Sequence, residues 1–240
     1  MTVYLVGAGP GDPGLITVRG LELVRRCDAV VYDTLASDEL VDEVPADALR
    51  ISREGLRQHE IDRLLVELGR SGLEVVRLKG GDPFLFGRGA EEALALEAAG
   101  VACEVVPGVS ALSAAPAGAG VPVTHRGLSD RVTVVSGHSA QGDELDYEAL
   151  VRAGGTLVVF MGRTVLGRIA SGLIAAGMRP SAPVLLASRA TCPGERHVVT
   201  TLAACGERAA ELDSPTLVVV GDVVSLAHGA RADTRPARAA

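Results

Sequence analysis

At 240 residues, 48% hydrophobic and 22% charged, the chain has enough apolar material for one large or two small cores and is not disordered along its length. A formal charge of −7 and 2% aromatic residues exclude bulk electrostatic coating of nucleic acid and leave no platform for stacking bases. Lys79 is the only lysine among 23 basic residues; arginine forks suit anion recognition, but a coding bias toward Ala, Gly and Arg gives the same skew and is the simpler cause.

Val-rich runs alternating with helix-like stretches predict βαβ units and an α/β fold with a mainly parallel N-terminal sheet. In chain order, a strand is expected over 3–6, a helix capped by Thr17 to about 27, and a strand over 29–32. A helix over 60–70 carries Ile61, Leu64, Leu65 and Leu68 at helical spacing. A buried strand over 75–78, a helix over 89–99, a short strand over 104–106 and a small-residue helix from about 110 complete the first half. Pro116 should kink that last helix.

The turn formers of G-A-G-V-P-V-T-H-R-G at 118–127 break the pattern and mark the expected boundary between domains 1–118 and 119–229. Beyond it, strands are expected over 132–136, 156–161, 183–187, 197–201 and 216–220, with helices over 145–152, 166–176 and 202–212. Two strands in succession before Leu202 predict a hairpin, hence a mixed sheet with helices on both faces. The aperiodic Arg, Ala and Pro tail at 230–240 is expected to be disordered.

No apolar run approaches the roughly 20 residues that span a bilayer, and the opening M-T-V-Y-L-V-G lacks a basic signal-peptide segment, so a cytoplasmic location with no membrane partner is expected. Cys27, Cys103, Cys192 and Cys205 form no C-x-x-C pair, which points to buried thiols rather than a metal or disulfide framework.

Two motifs could carry chemistry. G-A-G-P-G-D-P-G at 7–14 follows the first strand and, from Gly9, satisfies G-x-G-x-x-G, with Asp33 ending the second strand as a ribose acid would. Pro10, Pro13 and a cap at Thr17 delay the helix, however, so a dinucleotide loop, another ligand loop and a stiff connection all stay open. R-L-K-G-G-D-P-F-L-F-G-R-G-A-E-E at 77–92 again ends a strand and enters a helix. It holds Phe84 and Phe86, two of the three phenylalanines. Two glycine-rich strand ends suggest a ligand crevice; the bland alternative fills core with the phenylalanines and sets Glu91 and Glu92 at a helix N-terminus.

These blocks, with Tyr32-Asp33, V-P-G-V-S-A at 106–111, V-P-V-T-H-R at 121–126 and F-M-G at 160–162, resemble the tetrapyrrole methylases over residues 2–226. The G-G-D-P-F block is similar to the branch that methylates uroporphyrinogen III. The resemblance implies a homodimer of two-domain α/β chains, with S-adenosylmethionine in the cleft between the domains. It implies methyl transfer to C2 and C7 of uroporphyrinogen III, giving precorrin-2 for sirohaem or cobalamin. Cofactor contacts would fall on Pro10, Gly80, Gly81, Asp82, Leu85, Ser110, Ala111, Met161 and Ala190, and the family's proposed base on Asp33.

A substrate with eight carboxylates calls for a locally basic cleft. Arg19, Arg77, Arg88, Arg126, Arg131 and Arg163 are the candidates, with His125; Arg88 and Arg126 sit best within motifs. The chain departs from the family at 52–58, where the segment is shorter and the family's proton-donating lysine has no counterpart; Arg53 is nearest, and a guanidinium is a poor proton donor. Ala190 stands where the family has glycine. A precorrin methylase acting at another carbon, a nucleotide-dependent redox enzyme using Gly9 to Gly14 as a dinucleotide loop, and a tetrapyrrole-binding protein without turnover are the competing readings.

Overall fold

A computed structural model describes residues 1–138 and 145–227. The chain divides into two compact units, the first Met1–Ser110 and the second beginning at Ala111.

The first unit runs β1 (Thr2–Gly7), α1 (Val18–Val24), β2 (Ala29–Tyr32), α2 (Asp38–Asp42), β3 (Leu49–Ser52), α3 (Gln58–Arg70), β4 (Val75–Lys79), α4 (Gly89–Ala98) and β5 (Ala102–Val106). The five strands are all parallel in the order β3-β2-β4-β1-β5. Strand residues alternate between two cores, as the two-residue period of a pleated strand requires. Val6, Val30, Val76 and Leu78 pack with Leu23, Val24, Leu40 and Val44 from the α1 and α2 side. Val3, Leu5, Val31 and Val75 pack with Ile61, Leu65 and Leu96 from α3 and α4.

Local signals set the element ends. Thr17 caps α1 by accepting the Gly20 N–H at 3.1 Å, and Glu60 accepts the Arg57 N–H at 2.7 Å to close the start of α3. Helix α1 stops at Val24, short of the expected 27. The expectation missed α2, a single short turn, and β3, an edge strand half open to solvent whose L-R-I-S shows no apolar run.

The second unit holds α5 (Ala111–Gly118), β6 (Val132–Ser136), α6 (Tyr147–Ala153), β7 (Thr156–Phe160), α7 (Leu166–Ala175), β8 (Pro183–Ser188), β9 (Arg196–Thr201), α8 (Cys205–Ala210) and β10 (Thr216–Val220). The sheet order is β6-β7-β10-β8-β9, with β6 and β7 parallel and the other neighbours antiparallel. The expected hairpin is β8–β9, and the sheet is mixed.

The division falls at Ser110/Ala111 rather than at 118/119. The reason is burial: Ala115 of α5, with Ala119 and Val121, shares one core with Val158, Leu185, Leu217 and Val219 of the second sheet. Helix α5 ends two residues beyond Pro116, whose carbonyl accepts the N–H groups of Ala119 and Val121 at 3.0 and 2.9 Å. Helix α8 is shorter than the expected 202–212. The tail at 230–240 lies outside the described residues.

Candidate functional site

In the first unit β4, β1 and β5 are neighbours, so the chain segments leaving their C-terminal ends meet at one edge. Beyond the strands the 7–14 and 79–89 segments stay paired: the Ala8 N–H donates to Lys79 at 2.7 Å, and Gly9 and Gly81 exchange backbone bonds at 3.3 and 2.7 Å. A Cβ on Gly7 would lie 2.5 Å from Gly108 Cα. Only bare backbone allows that crossing. Gly81 adopts φ +67°, and the space where its Cβ would stand is open. The glycines therefore serve two purposes: Gly7 and Gly108 let segments cross, and Gly81 leaves room beside the crossing.

Asp82 ties the crossing together. Its Oδ2 accepts the Gly108 N–H at 3.1 Å and its Oδ1 the Phe84 N–H at 2.9 Å. Half-buried Pro10, Gly80 and Leu85 lie on the same loops, and a Cβ on Gly80 would meet Leu35 at 2.8 Å. Phe84 and Phe86 are 55% and 41% exposed, so they do not fill the core as the bland alternative has it. The loop turns back sharply, with Phe86 and Arg88 at φ 51° and 58°.

Asp33 follows β2 directly, its N–H donating to Leu78 at 3.0 Å. Its Oδ1 takes the Arg77 Nη2 and lies 3.8 Å from Arg53 Nη1. No bond to Oδ2 is present among the described residues. Arg77 and Lys79 occupy alternate positions of β4 and, by period, face α3 and α4. Both are fully buried, and so is Glu92 of α4. Glu92 Oε1 accepts Arg77 Nε at 3.1 Å, Lys79 Nζ at 2.9 Å and Gln58 Nε2 at 3.3 Å; its Oε2 accepts Lys79 Nζ at 2.8 Å. Burial, and then the neighbouring Arg77, lower the Lys79 pKa, while Glu92 opposes the shift.

Sequence reasoning missed Glu92, which it left at the helix N-terminus beside Glu91. Glu91 does stay outside, paired with Arg88 at 2.6 Å. Two cations in a strand buried along its whole length were the signal that a buried anion must face them.

The arginines separate sharply. Arg77 is inside the sheet and cannot grip a substrate. Arg163 donates to Ser214 Oγ and the Leu212 carbonyl, both at 3.1 Å, and Arg131 to Asp130 and the Ala153 carbonyl, also at 3.1 Å. Arg19 is exposed and paired with Glu104, so it is held by the protein rather than free. Exposed Arg126 has no side-chain partner among the described residues. Neighbouring His125 sets its Nδ1 2.8 Å from the Arg126 carbonyl.

Among the second unit's candidates, Ala111 begins α5 and is half-buried, one residue after half-buried Ser110. Met161 is 51% exposed at φ 52°, and His138 Nδ1 contacts its carbonyl at 2.7 Å. Gly137 and Gly162 cross as closely as Gly7 and Gly108 do. Ala190 is buried between Arg189 and Thr191, which adopt φ 50° and 62°. Its methyl is therefore accommodated within a strained turn.

The family profile of the tetrapyrrole (corrin/porphyrin) methylases matches residues 2–205. A siroheme synthase of Sodalis glossinidius is 46% identical over 94% of this chain and 50% of its own length. The chain thus spans about half the length of the curated relatives it matches. A uroporphyrin-III C-methyltransferase from Thermus thermophilus, solved with S-adenyl homocysteine, is similar at TM-score 0.84 and 41% identity, covering 94% of this chain and all of that one. A cobalt precorrin-4 methyltransferase is similar at TM-score 0.86 and 29% identity, covering 93% of this chain and 95% of its own. Extending over both units and carrying the strand-end glycine motifs intact, the chain belongs to the tetrapyrrole (corrin/porphyrin) methylases.

Proposed function

We propose that the chain methylates uroporphyrinogen III at two pyrrole carbons, C2 and C7, with S-adenosylmethionine as donor, giving precorrin-2 for sirohaem. The observation that carries this reading is the glycine crossing at the C-terminal edge of the parallel sheet. There, the space where a Gly81 Cβ would stand is open, and half-buried Pro10, Gly80, Asp82 and Leu85 lie on the same two loops. These residues suit a ligand that needs backbone donors and acceptors plus one apolar wall. The Thermus thermophilus relative's bound S-adenyl homocysteine, and the siroheme synthases among the relatives, support the same reading.

When bound, S-adenosylmethionine supplies a methyl group on a positively charged sulfur. The chain's part is alignment of the pyrrole carbon behind that methyl, since position alone removes much of such a barrier. As the carbon–carbon bond forms and the carbon–sulfur bond breaks, positive charge passes to the macrocycle. A ring proton must then leave, and Asp33 accepts it. Arg126 contacts the substrate carboxylates, joined by Arg88 once it leaves its pair with Glu91, and Arg53 lies 3.8 Å from Asp33 in the segment that lacks the family's lysine. A cytoplasmic homodimer completes the reading, and sedimentation of the purified chain tests the dimer.

The deciding experiment incubates the chain anaerobically with uroporphyrinogen III and methyl-labelled S-adenosylmethionine. Two labelled methyl groups on the product are expected by mass spectrometry. Tight S-adenosylhomocysteine binding without product would instead favour a tetrapyrrole-binding protein lacking turnover, the reading that the short 52–58 segment supports. Turnover of a precorrin but not of uroporphyrinogen III would move the chain to another branch of the family.

A further inference from the structure

The buried charges of the first unit form one connected network, and it runs to one atom. Lys79 grips both oxygens of Glu92; Glu92 Oε1 holds Arg77 Nε; Arg77 Nη2 holds Asp33 Oδ1. Arg77 Nη1 donates to the carbonyls of Val31 and Leu78 at 3.3 and 3.2 Å, so the guanidinium is anchored on every side. Among the described residues, the other side chain paired with the Asp33 carboxylate is Arg53, at 3.8 Å and again toward Oδ1. Both cations therefore face the same oxygen, Arg77 by a hydrogen bond and Arg53 at ion-pair distance. The other, Oδ2, is left free among the described residues at a strand end that is still partly open to solvent.

We propose that Arg77, locked by Glu92 and Lys79, is a positioning residue that fixes the Asp33 carboxylate by Oδ1 so that Oδ2 takes the proton released by the methylated macrocycle. This rests on the reading of Asp33 as the base. The contact sets where Oδ1 lies, because a planar guanidinium fixed at Nε and Nη1 presents Nη2 in one direction only, and it leaves Oδ2 as the oxygen without a protein donor among the described residues. Fully buried charges seldom improve stability over apolar residues of the same volume, so their presence at the middle of the sheet calls for a role other than cohesion. The proton moves from a ring atom to Oδ2, the electron pair of that bond stays on the macrocycle, and product departure followed by loss to water restores the carboxylate.

A double-mutant cycle on the full chain tests this, with Arg77→Lys and Asp33→Asn measured singly and together. Arg77→Lys is expected to lower kcat about 10- to 100-fold, as small misplacements of a reacting group do, with KM and S-adenosylhomocysteine affinity within about 2-fold of wild type. In the Asp33→Asn background the same substitution should change kcat by less than about 2-fold, because the group it positions is gone. The surface change Arg25→Gln, which breaks only the exposed pair with Glu43, serves as the control with unchanged kcat.

Additive losses, or KM and kcat falling together, would overturn the positioning role while leaving Asp33 as base. Full turnover by Asp33→Asn, or none by wild type, would overturn the underlying reading and the positioning role with it. Should Arg77→Lys fail to fold, the paired Lys79→Met and Glu92→Gln variant, which removes one cation and one anion together, must give the same non-additive pattern. If that variant also fails to fold, the network is a stability element and the proposal falls.

Discussion

Strands β4 and β10 hold the same place, third of five in their sheets, and every residue of both is buried. β10 reads T-L-V-V-V, and its one polar residue is satisfied by a single bond from the Thr216 hydroxyl to the Asp213 carbonyl at 2.6 Å. β4 reads V-V-R-L-K and carries two cations into an equally dry setting. Apart from these cations and Glu92, the buried polar side chains among the described residues are hydroxyls, all in the second unit. The contrast teaches where to look for chemistry: the second sheet is built to cohere, whereas the first accepts buried charge beside its glycine-lined edge.

Breaking the contrast outright gives the largest effect. A lysine at the centre of β10, Val218→Lys, would enter the core formed by Leu157, Val159 and Leu186 with no anion facing it. An unpaired buried charge costs about 3–5 kcal/mol or more, so urea titration should find the second unit largely unfolded. Asp33→Asn probes the functional side; removal of a positioned base should lower kcat by about 10² to 10⁴, while calorimetry finds S-adenosylhomocysteine binding unchanged.

Gly7→Ala tests the crossing itself. Its methyl would sit 2.5 Å from the Gly108 backbone, which has no flexible side chain to yield. Cofactor affinity should fall at least about 10-fold, the effect expected when a pre-formed site is displaced by an ångström. Arg126→Ala, at an exposed position, should raise KM for the tetrapyrrole by about 10-fold, worth about 1.4 kcal/mol, with no change in melting temperature.

The smallest effect concerns the thiols. Burial pushes Cys27 and Cys205 up from the ordinary 9.0 to about 11. A raised folded-state value means that their stabilisation is complete below pH 9 and is lost as pH climbs toward 11. Melting temperature should therefore decline across that window in wild type, and less steeply in the double Cys27→Ala, Cys205→Ala variant.

Much of this was legible beforehand. The limits of β2, β6 and β10 follow from Val-rich runs between turn formers, and the hairpin β8–β9 from two such runs without a helix between them. The two glycine motifs were visible as strand ends. What escaped had weak local signals: β3 is an exposed edge, α2 is a short turn, and α5 looked attached to the unit that precedes it until its buried face was known. Among the candidate residues, Arg77, Arg131 and Arg163 read alike as anion grips, because a guanidinium's partner is set by what folds over it.

The order of motifs, the alternation of apolar runs and the glycines that permit close backbone crossings belong to the sequence by itself, since each depends on local period or on the absence of a Cβ. Only the tertiary structure decided that Glu92 turns inward to Arg77 and Lys79 while Glu91 stays in water. Only it showed that Asp33 meets its cations through one oxygen. Those pairings join residues from different strands and helices, and the electrostatics of a charge depend on the company and dryness that folding supplies.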